Sequence, residues 1–267
     1  MMIYSKTLID NINNEKAGID YIYSTTDKAI LNELIRDINE FASTDFHYLA
    51  ELDAFDIKGT GQIIARYITR FNSESIKGYL IPQIVSDRIE DCDKLVLQLY
   101  LHFKESEEYI SPSDAPAPAH IYVRYDNALK TLKPKRLKEE LIKLACYPRD
   151  AFYLPFTMRM LASWKIPEIK EVLISYLDGS KITSDAVSLE QEKGIFYPSI
   201  ESIKRELKFT ALDGLKYYPT YETIEIVKQH TLNSDQDIKM VAKKTLKILE
   251  KKCGSEFDFQ NSISIIK

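Results

Sequence analysis

"NSDQDIKMVAKKTLKIL", residues 233–249, decides how the rest of the chain is read. Acids open it, lysines follow, and Ile238, Val241, Leu246 and Leu249 recur around one side at helical spacing. Ser234 or Asp235 is placed to accept hydrogen bonds from the unpaired N–H groups of a helix start, and Asp237 in the first turn favours the positive end of the dipole. Ala242 is the small residue that lets a second helix come close. Lys239, Lys243 and Lys247 then follow one another at i+4 on the remaining, solvated side.

Working outward, the same grammar covers most of the 267 residues. Glycine is scarce, 8 in all, fewer than the tight turns of an all-β protein or the phosphate loops of an α/β enzyme usually need. Helical spacing of apolar residues predicts helices over 26–43, 60–72, 75–86 (with Pro82 as a kink or boundary) and 93–104. The last of these is apolar almost all round, so it is expected to be central. "ESEEYISPSDAPAPA", 105–119, has three prolines and no periodicity, and reads as a loop between two helical blocks. Helices are expected again over 120–132, 135–146, 149–163, 167–177, 200–216, 219–232 and 235–252. This organisation gives an N-terminal segment (1–25), one helical domain in two blocks (26–104 and 120–252), and a C-terminal tail (253–267).

The chain also repeats itself. "IPEIKEVLISYL" (166–177) superposes on "YETIEIVKQHTL" (221–232), placing Ile166, Ile169, Val172, Tyr176 and Leu177 on Tyr221, Ile224, Val227, Thr231 and Leu232. A helix, a proline-containing turn, a second helix and an acidic turn into the next pair is the order of an α-solenoid, whose pairs bury their apolar faces only by stacking.

The opening stretch resembles the junction between HEAT repeats, where an acidic turn precedes a helix with valine, arginine, two variable positions, alanine, then a small residue and leucine. The matching positions are Asp235 and Asp237 in the turn, Ile238, Lys239, Ala242, Thr245 and Leu246. "EDCDKLVLQLYLHF" repeats the pattern faintly, with Leu95, Leu99 and Phe103 at the apolar places. The likeness extends over 60–252 and is clearest in the last third. It implies an all-α fold, a curved solenoid of stacked antiparallel helix pairs of the HEAT or armadillo type, and no chemistry of its own.

Composition bounds the function. No apolar run approaches the ~18 residues that span a bilayer, and the N-terminus lacks the core of a signal peptide, so a cytoplasmic protein is expected. The three cysteines, Cys92, Cys146 and Cys253, form no CxxC pair and read as reduced thiols. Residues 1–120 hold 11 Lys+Arg against 20 Asp+Glu, whereas 121–267 hold 25 against 20, so the chain is acid first and basic last. "KGTGQ" lacks the lysine and hydroxyl residue of a phosphate loop and reads as a flexible helix start. His47, His102, His120 and His230 are scattered without metal spacing, and His102, in the most apolar helix, is expected in the core. No catalytic residue, metal or cofactor is therefore expected.

Two binding functions remain. As a solenoid, the chain is expected to bind another protein, with Glu168, Glu171 and Ser175 on one helix and Glu222, Glu225 and Gln229 on another facing the partner. Tyr217 and Tyr218 serve as amphipathic anchors. A bacterial immunity or inhibitor protein masking a toxin is a specific form of this expectation, in keeping with the size, the acidic first half and the 17 tyrosines. The alternative is nucleic acid, carried by Lys130, Lys133, Lys135 and Arg136 together with Lys239, Lys243 and Lys247. HEAT-like glycosylases that remove alkylated DNA bases combine a basic concave face with tryptophans and an aspartate. Here the single tryptophan, Trp164, has no such motif around it, and a solvated helix face is the simpler reading of the lysines.

Overall fold

A computed structural model of the protein describes residues 5–7, 9–13, 24–55, 57–105, 118–183 and 199–264. Every described element is helical. The chain divides into two compact units, Met1–Pro134 and Lys135–Lys267. Most of the expected loop at 105–119 and of the irregular stretch after Asp178 lies outside the described residues, as does most of the N-terminal segment.

The first unit contains α1 (Thr25–Ala42), α2 (Leu49–Ala54), α3 (Thr60–Tyr67), α4 (Glu74–Asp87), α5 (Cys92–Glu105) and α6 (Pro118–Leu132). Ser24 caps α1 by accepting from the Asp27 N–H, and the buried Asp27 carboxylate accepts from the Asn72 N–H at 2.7 Å, tying the start of α1 to the turn before α4. The central helix is α4, not the apolar α5. It packs against α2, α3, α5 and α6 and buries Ile76, Lys77, Gly78, Leu80, Ile81, Gln83, Ile84 and Val85. Helix α5 instead buries Val96, Leu97, Leu99, Tyr100 and Phe103 and leaves Leu101 and His102 outside. Apolar composition does not reveal this ranking, because α4 also takes polar side chains into the core, Lys77 paired with Glu74 and Gln83 Nε2 donating to the Leu52 carbonyl.

Pro82 does not end α4; the helix runs through it to Asp87. A proline removes the N–H that would bond the carbonyl four residues back, and that carbonyl belongs to Gly78. It accepts instead from Arg124 Nη1 of α6 at 3.3 Å. Arg124 also lies over the Tyr79 ring, 4.3 Å from its centroid, so the replacement donor is held in place. Gly78 faces Ile121 and Arg124 of α6, and a Cβ there would sit in ordinary contact with both at 3.6 Å.

The glycines of "KGTGQ" serve helix capping. Gly59 has φ +92°, a conformation that favours glycine. Its N–H points at Asp87, 3.0 Å from either carboxylate oxygen, and the Gly61 N–H reaches Asp87 Oδ2 at 2.5 Å. The anion at the start of α3 is therefore the chain's own carboxylate, donated from the end of α4.

The second unit contains α7 (Lys138–Cys146), α8 (Pro148–Tyr153), α9 (Pro155–Ser163), α10 (Pro167–Leu177), α11 (Ile200–Leu215), α12 (Tyr221–Gln229) and α13 (Gln236–Ser264). The single helix expected over 149–163 is two, because Pro155 pushes Leu154 out of helical geometry. Helix α13 continues past Gly254 to Ser264. At the middle lies α11, with α8, α9, α10 and α13 packed on it, while α12 packs on α13. At Gly214 a Cβ would meet Leu173 Cδ1 at 2.9 Å, which marks the closest approach of α11 to α10.

The register of the repeat differs by one residue from the superposition of apolar letters. The residues just before α10 and α12 are Ile166 and Thr220, and the fully buried positions that follow are Ile169 and Leu173 against Thr223 and Val227. Tyr221 and Leu232, matched to Ile166 and Leu177 in sequence, are 68% and 87% exposed, so the apolar likeness at those places is fortuitous. Thr220 caps α12 by accepting from the Thr223 N–H at 3.1 Å, and this cap, a local feature, sets the phase.

Candidate functional site

The stretch at 233–249 is built as a junction. Asp235 Oδ1 accepts from the Asp237 and Ile238 N–H groups, and Asp235 Oδ2 accepts from Arg205 Nε of α11 at 2.7 Å. Arg205 also reaches Asp237 and Glu206. The hydrogen bond from Arg205 holds the Asp235 carboxyl below its ordinary range. Ala242 is fully buried, and the Thr245 hydroxyl donates to the Leu212 carbonyl of α11 at 3.0 Å. Ile238, Val241 and Leu249 are buried and Leu246 is half-buried. Lys243 and Lys247 are exposed, while Lys239 is half-buried.

The remaining cations of the nucleic-acid expectation are Lys130 and Lys133 in the first unit and Lys135 and Arg136 in the second, all exposed. Lys133 has a left-handed backbone, φ +49°, just after α6.

The residues expected to face a protein partner lie on α10 and α12 and in the turn after α11. The corrected register aligns Glu168 with Glu222, Glu171 with Glu225 and Ser175 with Gln229. Glu168, Glu171, Glu222, Glu225 and Gln229 are exposed. Lys170 of α10 pairs with Glu222 of α12, a direct link between the two helices. Ser175 is half-buried and its hydroxyl donates to the Val172 carbonyl. Tyr217 is half-buried, whereas Tyr218 is buried and donates to the Ile166 carbonyl at 2.8 Å. Burial, and secondarily the Glu168 carboxylate, push its phenol up. The Tyr218 ring thus holds the α10–α11 pair closed and offers a partner little surface.

A second group on this unit has no counterpart in the sequence expectations. Arg159 of α9 lies over two rings, its guanidinium 5.5 Å from the Phe156 centroid and 6.0 Å from that of Phe209. Asp213 of α11 faces it, with Oδ2 3.2 Å from Arg159 Nε, and accepts from Lys216 Nζ at 2.7 Å. Lys252 of α13 donates to the Lys216 carbonyl at 2.9 Å. The ammoniums of Lys216 and Lys252 lie 5.3 and 5.7 Å from the Tyr217 centroid. The faint sequence signal is the spacing of Phe209, Asp213 and Tyr217 at i, i+4 and i+8, which gathers them on one side of the chain that α11 begins; the partners on α9 and α13 are tertiary and left no pattern.

In the first unit a buried ionic centre lies where α4, α5 and α6 meet. Glu74 and Lys77, 0% and 2% exposed, form an ion pair at 2.6 Å. Desolvation raises the Glu74 carboxyl against the pull of Lys77, and burial beside Glu74 raises the Tyr125 phenol. Around them Tyr100, Phe103, Tyr122 and Tyr125 pack edge-on or stacked. His102, expected in the core, is exposed, its Nε2 3.9 Å from Glu74 Oε1.

Among the described residues no group of three His, Cys, Asp or Glu side chains is placed to hold a metal, and no helix is long and apolar enough to cross a membrane. No known protein family, curated protein or solved structure matches the chain.

Proposed function

We propose that the chain is a non-catalytic, HEAT-like helical-repeat protein of the cytosol that binds another protein through its second unit. The observation that carries this reading is the shared register of α10 and α12, in which Glu168 and Glu171 occupy the positions of Glu222 and Glu225, all four exposed, with Lys170 of α10 reaching Glu222 of α12. Stacked antiparallel pairs, α10 with α11 and α12 with α13, would extend such a row, and the Arg205 link to Asp235 and Asp237 supports their stacking. An immunity or inhibitor protein is a form of this function suited to a rigid row of carboxylates, which steers a basic partner on approach and rejects acidic ones.

The test is a pull-down from the native host with Glu168, Glu171, Glu222 and Glu225 all changed to lysine. Wild type is expected to retain a partner that the variant loses at matched folding by circular dichroism. Identical partners for both proteins reject the surface.

A further inference from the structure

We propose that the Arg159 cluster is a docking site for a carboxylate side chain next to an apolar residue, carried on an acidic segment of a protein partner. This rests on the protein-binding reading and adds a second surface to it, of opposite charge to the α10–α12 row.

Arg159 is held without being used up. Its Nε is buried and makes no hydrogen bond, although Asp213 lies 3.2 Å away as an ion pair. Among the described residues nothing hydrogen-bonds its terminal Nη groups, and a quarter of its side chain is open to solvent. A guanidinium near the faces of Phe156 and Phe209 and faced by Asp213 along one edge presents its other edge as a fork, the shape that takes a carboxylate through two parallel bonds. Lys216 stands on the Tyr217 side of the same group, so Arg159 and Lys216 share one carboxylate, Asp213, and the pair attracts a further anion. Half-buried Phe156, Phe209 and Tyr217 supply apolar area around it. Arginine and tyrosine in this combination are what strong interface anchors are made of.

The extent of the charge selects the class of ligand. A nucleic-acid strand needs cations continuing along the groove. Along α11 the next cation towards the N-terminus on this side, Arg205, is already committed to Asp235, Asp237 and Glu206, and Lys204 pairs with Glu201. Those carboxylates repel a polyanion, while a single acidic side chain meets only the local positive charge.

The probe is a random peptide library displayed on phage and selected on the full-length chain. Wild type should enrich Asp or Glu beside an aromatic or aliphatic residue. A synthetic peptide so selected should bind Arg159→Gln about ten- to a hundredfold more weakly, the loss expected for a charged hydrogen-bonded contact, with Arg66→Gln unchanged. Lys216→Gln should weaken it in the same direction and serves if Arg159→Gln misfolds. Selection without acidic enrichment, a peptide indifferent to both substitutions, or a single-stranded oligonucleotide that displaces the peptide and shares its dependence on Arg159 overturns the proposal. A host partner lost by the four-glutamate variant but kept by Arg159→Gln rejects this site and leaves the protein-binding reading standing; a partner lost by neither rejects both.

Discussion

Removing the positive half of the buried pair in the first unit is expected to cost far more than removing any exposed lysine. Lys77 is 2% exposed and its ammonium lies 2.6 Å from a carboxylate that is 0% exposed. In Lys77→Met the apolar stem is replaced almost atom for atom, so packing changes little and the loss is electrostatic. A buried charge left without its partner costs about 3–5 kcal/mol. The variant limits that cost by protonating Glu74, whose carboxyl desolvation already raises in the wild type. A carboxyl raised on folding contributes stability that is full below its ordinary value of 4.5 and lost as the pH climbs through the raised one. The penalty of Lys77→Met should therefore shrink as the pH falls from 8 towards about 4, whereas a packing defect would not follow the pH. In Glu74→Leu/Lys77→Met both charges are gone, and this protein should recover much of the loss, giving a strongly non-additive cycle. Urea unfolding followed by far-ultraviolet circular dichroism measures all four proteins. A Lys77→Met cost within about 0.5 kcal/mol of that of the exposed Lys58→Met, or one independent of pH, would falsify the assignment of a strained ionic centre.

Three other outcomes follow from the same reasoning. Arg124→Ala should destabilise the first unit by about 1 kcal/mol by orphaning the Gly78 carbonyl, and noticeably less in a Pro82→Ala background, where the restored N–H takes over; a double-mutant cycle in urea decides it. Asp87→Ala should cost about 1–3 kcal/mol by stripping the Gly59 and Gly61 N–H groups, and hydrogen exchange at the start of α3 should accelerate before the rest of the unit. Because the Asp235 carboxyl is lowered on folding, its contribution is present above its ordinary value of 3.8 and lost as the pH falls through the lowered one. Asp235→Asn should accordingly flatten that acid limb of the stability curve of the second unit, as read by thermal unfolding.

What was legible in the sequence is what short-range physics controls. Helix periodicity located α1, α4, α5, α10 and α11 to within a residue or two, and the acidic start and buried alanine of α13 were plain in the letters of 233–249. Errors arose where a long-range partner repairs a local defect. Pro82 reads as a break until Arg124 supplies the missing donor, and "KGTGQ" reads as a flexible start until Asp87 fills it. Periodicity identifies a buried stripe but not which of several stripes is innermost, so α5 was ranked above α4. In the candidate sites the exposed glutamates of α10 and α12 were readable as residues left over from the core pattern. Tyr218 was not, because a tyrosine that donates inward and one that faces a partner are the same letter.

Three hydroxyls that bridge segments of the second unit point backwards along the chain. Tyr176 of α10 donates to the Ala145 carbonyl in the last turn of α7, Tyr218 donates to Ile166, and Thr245 of α13 donates to Leu212 of α11. Each acceptor is a backbone carbonyl that exists as soon as its own segment has formed, and each donor arrives later in synthesis. A ribosome releasing this chain from its N-terminal side thus makes each of these three acceptors before its donor. In each bond, losing the donor leaves a carbonyl that water can satisfy, whereas losing the acceptor strands a buried hydroxyl. These three bonds therefore give the second unit a direction, each later segment donating to an earlier one.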